Sequence, residues 1–221
     1  RSSSLGPERA RVASLFAIEQ AAHAAGARTV AGVDEAGRGA LAGPVFAAAV
    51  VLDPEAPVPG LDDSKALAPE VLEELAPRIR RLAVVWGVGS ASAAEIDDAG
   101  IAPATFLAMR RALEALSAMG PRPDLVLVDG FPIPSLSLPQ RAVVRGDATV
   151  ACIAAASILA KTARDAVLRG LDTARPWYGF AAHKGYGSAA HLAALRRHGP
   201  SPDHRLSFAG VLSPGRTASP V

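Results

Sequence analysis

The sequence predicts an α/β fold: a mixed β-sheet flanked by helices, with a small helical appendage at the C-terminal end. Three observations carry this prediction. Short apolar runs rich in Val and Ala alternate with longer segments of helical spacing, in the order strands, helix, strand, strand, helix, which fits a layered sheet rather than a bundle or a sandwich. Two of the runs end on acids beside glycine, as strands do where a sheet holds a ligand. After Gly170 the character changes, and Trp177, Tyr178, Phe180 and Tyr186 crowd into a Gly-rich stretch.

The elements follow in chain order. Residues 8–25 are Ala-rich with apolar spacing and predict a first helix. Thr29–Asp34 reads as a strand, and Pro44–Leu52 as a second, entered through Gly43-Pro44. A proline-rich loop runs from Asp53 to Gly60. Pro69 suits the first turn of a helix reaching Arg80. Leu82–Ala91 is a third strand in which Gly87 and Gly89 signal weakness or close packing. Ser92 caps a short turn through Asp98. Pro103–Met119 is a helix stopped by Gly120-Pro121. Leu125–Val128 is a short buried strand ending on Asp129-Gly130, and Ala142–Arg145 is another. Asp147 or Thr149 opens the longest helix, to Arg169, and Ala189–His198 is a short final one. Residues 1–170 are thus expected to form the main body and 171–221 the appendage, with 1–7 disordered, the tail from Gly199 extended, and a flexible end after 212.

Composition narrows the function classes. With 221 residues and 50% hydrophobic content the chain can bury a full core. A formal charge of +2 and a pI near 9.0 permit nucleic acid as a partner without demanding it, so local charge has to decide. A single cysteine, Cys152, rules out a disulfide framework and a cysteine-based zinc site. It lies in an apolar run and reads as a small core residue. No apolar stretch is long enough to span a membrane and no signal-peptide order is present. A cytoplasmic monomer is the default expectation.

The acids come next. Asp34 and Glu35 end the first strand, and Asp129 ends the strand at 125–128. An acid at the carboxyl end of a buried strand is placed for a site, although Asp129 before Gly130 equally suits a turn. Ser157, Lys161 and Asp165 are spaced i, i+4, i+8 and share one polar face of an otherwise apolar helix. Alone, that spacing describes a solvated Lys–Asp pair; on so apolar a helix it points to a cleft. Converging carboxylates repel one another unless cations fill the site. Oxygen ligands without Cys or clustered His select Mg²⁺ or Mn²⁺, and such a group can hold two ions roughly 4 Å apart for in-line attack on a phosphodiester.

Beside these acids stands Gly37-Arg38-Gly39, a turn whose glycines allow close backbone approach and whose amides can meet an anion. Ser64 and Lys65 in Asp62-Asp-Ser-Lys65 offer a hydroxyl and a cation fit for phosphate. His183-Lys-Gly-Tyr-Gly187 holds the Tyr186 ring between glycines, where it either stacks on a sugar or base or packs at the edge of the core.

Taken together and in order, these segments resemble bacterial ribonuclease HII across Thr29 to Val211. The matching stretches are Val30–Gly39, Asp63–Lys65, Val128–Gly130, Gly146-Asp147, Ala154–Lys161 with Arg164-Asp165, Tyr178–Phe180, His183–Tyr186, and His204-Arg205 with Ser207-Phe208. The resemblance implies an RNase H-like fold. It also implies metal-dependent cleavage of RNA in RNA–DNA hybrids, and incision 5′ of a lone ribonucleotide in duplex DNA. By residue match it makes Asp34, Glu35, Asp129 and Asp165 the metal-binding catalytic acids. It gives Gly37, Arg38 and Gly39 the ribose 2′-hydroxyl, Tyr186 the neighbouring deoxyribose, Ser64 and Lys65 the backbone phosphates, and Lys161 and Lys184 added positive potential. The 2′-hydroxyl is the group that tells RNA from DNA locally.

The chain departs from the family pattern at Gly100, where relatives often carry asparagine, at Arg145 for lysine, at Ala40 for proline and at Ala66 for a second lysine. Two other classes compete: a non-catalytic binder of hybrids, disfavoured by the retained acids, and a junction-type nuclease, disfavoured by the Gly-Arg-Gly turn with Tyr186. The tail shows no glutamine-plus-paired-aromatic motif of a clamp ligand.

Overall fold

A computed structural model describes residues 5–62 and 64–211 of the chain. Its centre is a five-stranded sheet of β1 (Val30–Ala36), β2 (Val45–Val51), β3 (Val85–Ala91), β4 (Leu125–Asp129) and β5 (Gln140–Val143), in the order β3-β2-β1-β4-β5. The β1–β2 and β2–β3 pairs are antiparallel, whereas β4 runs parallel to both β1 and β5. The expected mixed sheet is therefore present. Its three parallel strands bring their carboxyl ends to one rim, and the acids stand there.

Helices cover both faces. Along one lie α3 (Pro69–Leu82) and α7 (Ala151–Ala174), joined by α1 (Leu5–Ser14) and α2 (Ala17–Ala24). Against the other lie α4 (Ala93–Ala99) and α5 (Ile101–Met119). Strand alternation sorts the side chains. Ala31 and Val33 of β1 pack on the α5 side, and Gly32 faces α7 so closely that a Cβ there would lie 2.3 Å from the Cys152 carbonyl carbon. Gly87 is likewise a close-packing residue, pressed against the α5 backbone. The abundance of Ala and Gly thus lets long helices approach the sheet closely. Cys152 is fully buried and burial raises its thiol pKa well above the usual range, as befits an inert core residue.

Several boundaries differ from the sequence reading, each for a local reason. The single helix expected over 8–25 is two, because the Leu15 carbonyl accepts from the Ala151 amide and Phe16 turns into the core. Ser92 caps a true helix, α4, through a capping box with Glu95. Gly100, at φ +86, ends α4 and begins α5, so the glycine departure supplies a conformation a side chain would strain. Arg145 is in the left-handed region at φ 56, which ends β5 early and starts a short helix α6 (Gly146–Thr149) before α7. Helix α7 runs past Gly170 to Ala174, and Glu19 of α2 accepts from the Cys152 amide at its start. The C-terminal part holds a 3₁₀ turn (Pro176–Tyr178), α8 (Phe180–His183) and α9 (Ala189–His198). The segment after Gly199 is not simply extended: Gly43 donates to the Asp203 carbonyl and Arg205 to that of Leu41, pinning it beside the first strands. The expectations for residues 1–4, Asp63 and the tail from 212 lie outside the described residues.

Candidate active site

At the rim where β1, β4 and β5 end there is a cleft of about 290 Å³. Of the site residues expected from sequence, Asp34, Glu35, Gly37, Arg38, Gly39, Ser64, Lys65, Asp129, Lys161, Asp165 and Tyr186 all line it, while Lys184, in the left-handed cap of α8, stands outside the lining.

The centre of the cleft is a set of three acids. Asp129 ends β4 and Asp34 stands two residues before the end of the adjacent parallel β1, both on the face toward α7, and Asp147 follows β5 in the first turn of α6. Carboxylate oxygens of Asp34, Asp129 and Asp147 lie within 4.8 Å of one another. The loop after β5 is tied in by the Gly146 amide, which donates to Asp129 Oδ1 at 2.7 Å, and a Cβ on Gly146 would crowd Ile153. Burial drives the Asp34 carboxyl well above the usual range, and the charges of Glu35 and Asp129 push it the same way, while a hydrogen bond from Ser157 opposes them. Asp129 is raised by burial and then by the Asp147 charge. The Lys65 ammonium lies 2.5 Å from Asp147 Oδ2, a protein cation placed against the cluster. An all-oxygen set that is mutually repulsive and attracts a cation from its own chain fits a hard divalent ion.

Asp147 rather than Asp165 stands in this cluster, and Asp165 lines the same cleft. Ser157 is the α7 residue that meets Asp34, and Asp165 lies eight residues further on, about 12 Å along the helix axis. A shared helix face is not a shared position along it. Asp147 carried a signal that could have found it, since it follows a strand-like run as Asp34 and Asp129 do. Glu35 lines the same cleft from another direction, because β1 keeps its ladder with β2 through Glu35 and Ala36. Glu35 therefore points to the α5 side, at the cleft margin near Asp129, and Arg38 Nη1 pairs with its Oε1 at 3.3 Å. Burial raises its pKa and Arg38 lowers it.

The glycine turn and Tyr186 line the same cleft. Gly37 has φ +92, and its Cα touches Arg164 so closely that an added Cβ would fall 2.0 Å from Nε. The Leu41 amide donates to the Gly185 carbonyl at 2.8 Å, joining the turn to the Tyr186 segment. Tyr186 is about half exposed and its ring centre lies 5.4 Å from the buried Arg164 guanidinium, so the ring sits at the edge of the core and also lines the cleft. Ser64 and Ser157 hydroxyls are 2.8 Å apart beneath Lys65.

Under Tyr186 lies a buried histidine chain that was not read from sequence. His204 Nδ1 accepts from the Ser201 amide at 2.9 Å, so its Nε2 donates to His191 Nε2 at 3.0 Å, and His191 Nδ1 donates to the Tyr186 carbonyl at 2.9 Å. Burial and the neighbouring His191 hold the His204 pKa down at about 4. His183 stacks on His191 at 4.3 Å.

The model of the ribonuclease HII family matches residues 31–211. The chain is 58% identical over 183 residues to ribonuclease HII of Chromobacterium violaceum, covering 82% of this chain and 91% of that one. It is 52% identical over 197 residues to that of Geobacillus kaustophilus, with 89% and 74% covered. Among solved structures it is similar to ribonuclease H2 of Pyrococcus horikoshii (TM-score 0.66, 24% identity, 83% and 95% covered). It is also similar to Bst-RNase HIII in complex with Mn²⁺ (TM-score 0.68, 21% identity, 86% and 70% covered). At such identities the two structures speak to the fold, which is the RNase H-like mixed sheet.

Proposed function

This chain belongs to the ribonuclease HII family, and from that premise we propose that it is a metal-dependent endoribonuclease. It hydrolyses the RNA strand of RNA–DNA hybrids and incises 5′ of single ribonucleotides embedded in duplex DNA. The observation that carries the reading is the Asp34–Asp129–Asp147 cluster, with oxygens within 4.8 Å, in a cleft walled by Gly37–Gly39 and Tyr186.

Asp34, Asp129 and Asp147 would hold the divalent ion, Mg²⁺ or Mn²⁺, with Glu35 in the lining of the same cleft. When bound, the metal supplies Lewis acidity that activates water and stabilises the leaving 3′-oxygen, giving 5′-phosphate and 3′-hydroxyl ends. The protein's own groups do the rest. Ser157 and the Gly146 amide orient the Asp34 and Asp129 carboxylates. Lys65 and Ser64 stand where the phosphate backbone passes, and Lys161 adds positive potential from α7. The Gly37–Gly39 backbone reads the 2′-hydroxyl, and Tyr186 lies against the deoxyribose on the far side of the junction, so selection needs no base sequence. Lys184, outside the cleft lining, contributes at most to the approach of the duplex.

In this reading the body up to residue 170 carries the metal and the C-terminal segment carries Tyr186. All the residues required come from one chain, so a monomer suffices, and the substrate class is that of the cytoplasm. No described helix is long and apolar enough to cross a membrane. The test is digestion of a uniform RNA–DNA hybrid and the matching DNA duplex with Mg²⁺, Mn²⁺ or chelator. Cleavage of the hybrid alone, only with metal and with 3′-hydroxyl ends, is expected. Binding without cleavage under both metals would overturn the assignment, and cutting of all-DNA branched substrates would favour a junction nuclease.

A further inference from the structure

Arg164 and Arg205 are among the largest fully buried side chains in the protein, and nothing in the chemistry above uses them. Arg205 comes from the C-terminal segment and reaches back to the glycine turn. Its Nη2 donates to the Gly37 carbonyl at 2.8 Å, its Nη1 to the Arg38 carbonyl at 2.8 Å and its Nε to the Gly43 carbonyl at 3.0 Å. Arg164, on α7, donates from Nε to the Pro44 carbonyl at 3.2 Å and from Nη2 to the Ala42 carbonyl at 3.1 Å. Its side chain fills the space a Gly37 side chain would need, and its guanidinium lies 5.4 Å from the centre of the Tyr186 ring.

These bonds go to backbone carbonyls, where a buried guanidinium would ordinarily be matched by a carboxylate. What the arrangement secures is orientation. In a trans peptide the N–H points opposite to the C=O. With the Gly37 and Arg38 carbonyls both drawn to Arg205, the amides that follow them, of Arg38 and Gly39, are turned to the other side, and residues 37–39 line the cleft there. The planar fork holds two carbonyls in one fixed geometry, whereas the freely rotating donors of an ammonium impose none. Arg164 links the two sensing elements. Its one side chain abuts Gly37 and lies over Tyr186, so the turn and the ring share a rigid buried spacer. Both groups stay protonated at neutral pH although burial lowers their pKa values, that of Arg205 to about 10.

We infer that Arg205 and Arg164 are specificity-determining positioning residues: Arg205 aims the Arg38 and Gly39 amides at the ribose 2′-hydroxyl, and Arg164 fixes the distance between that turn and Tyr186. This rests on the ribose-reading role given above to the turn and Tyr186. A lone ribonucleotide offers one productive register, whereas a uniform hybrid offers one at every step, so misalignment costs most on the lone ribonucleotide.

The test measures kcat/KM on a DNA duplex with one ribonucleotide and on a uniform hybrid, for wild type, Arg205→Lys, Arg164→Lys, Tyr186→Ala and the Arg164→Lys/Tyr186→Ala double variant. The melting shift on adding Mn²⁺ reports the metal site separately. Expected is a loss of ~10- to 100-fold on the lone ribonucleotide for Arg205→Lys, as displacement of a reading group by about 1 Å produces. The loss on the hybrid is smaller and the Mn²⁺ shift is kept. Arg164→Lys adds no further loss once Tyr186 is alanine, because it acts through that ring. Equal losses on both substrates, or additive losses in the double variant, would overturn the inference. If Arg205→Lys does not fold, the Arg164–Tyr186 cycle decides alone. A wild type that leaves the lone ribonucleotide uncut refutes the function itself; a wild type that cuts it while the lysine variants match it refutes only this inference.

Discussion

Replacing Asp147 and Asp165 one at a time by asparagine separates the two candidates for the acid that completes the metal site. The structure sets the expected sizes. Metal binding at ~100 times the dissociation constant stabilises a folded protein by about 2.7 kcal/mol. For a domain of this size each kcal/mol moves the midpoint by about 2–4 °C, so saturating Mn²⁺ should raise wild-type melting by roughly 5–11 °C. Asp147→Asn removes one of three carboxylates whose oxygens lie within 4.8 Å. It should abolish most of that shift and lower cleavage by ~100-fold or more, since even loss of an outer contact costs 10- to 100-fold. Without metal the same variant should melt close to wild type. It loses the Lys65 ion pair, worth about 1 kcal/mol or less because the Lys65 side chain is 75% exposed, and it relieves repulsion with Asp129. Asp165→Asn, about 12 Å along the α7 axis from Ser157, should keep the full Mn²⁺ shift. The assay is thermal melting across a Mn²⁺ titration, paired with hybrid cleavage. A lost shift in Asp165→Asn with a retained one in Asp147→Asn would refute the cluster.

Other outcomes follow from the same geometry. Asp34→Asn should end cleavage yet leave metal-free melting unchanged or raised, because it removes a buried charge beside Glu35 and Asp129; parallel activity and melting curves check this, and equal loss of both would make Asp34 structural. Gly37→Ala should cost about 3–5 kcal/mol, from the left-handed conformation at φ +92 and the displacement of Arg164 from its carbonyl partners; urea unfolding reads it. His204, with its folded pKa near 4, takes up its proton more readily when unfolded, so stability is full above pH 6.5 and is lost as pH falls toward 4. The loss reaches at most about 3 kcal/mol, and His204→Gln should flatten that part of the stability profile.

Much of this architecture was legible from the chain. The apolar runs ending at Asp34 and Asp129 marked two strands with acids at their carboxyl ends, and the structure adds that these strands are adjacent and parallel. Gly37-Arg38-Gly39 marked a turn, in which the structure requires glycine at position 37, and the polar stripe of α7 marked the cleft wall. Periodicity fixes direction, however, and not distance. It showed that Ser157, Lys161 and Asp165 share a face but not which of them is level with the end of β1. The β1–β2 ladder continues through Asp34 and Glu35, so their side chains leave the strand on opposite faces. Arg205 and the histidines were illegible as partners of the turn because their contacts span more than a hundred residues or form only when the C-terminal segment folds back.

The central claim is that this cleft couples a carboxylate-held metal to recognition of one 2′-hydroxyl. A DNA duplex carrying a single ribonucleotide in an end-labelled strand, incubated with the wild-type protein and Mg²⁺ or Mn²⁺ beside its all-DNA counterpart, tests it most directly. The expected result is one incision, on the 5′ side of the ribonucleotide, with the all-DNA duplex intact and chelator abolishing the cut. Incision of both duplexes alike, or of neither while the duplex is bound, would contradict the account.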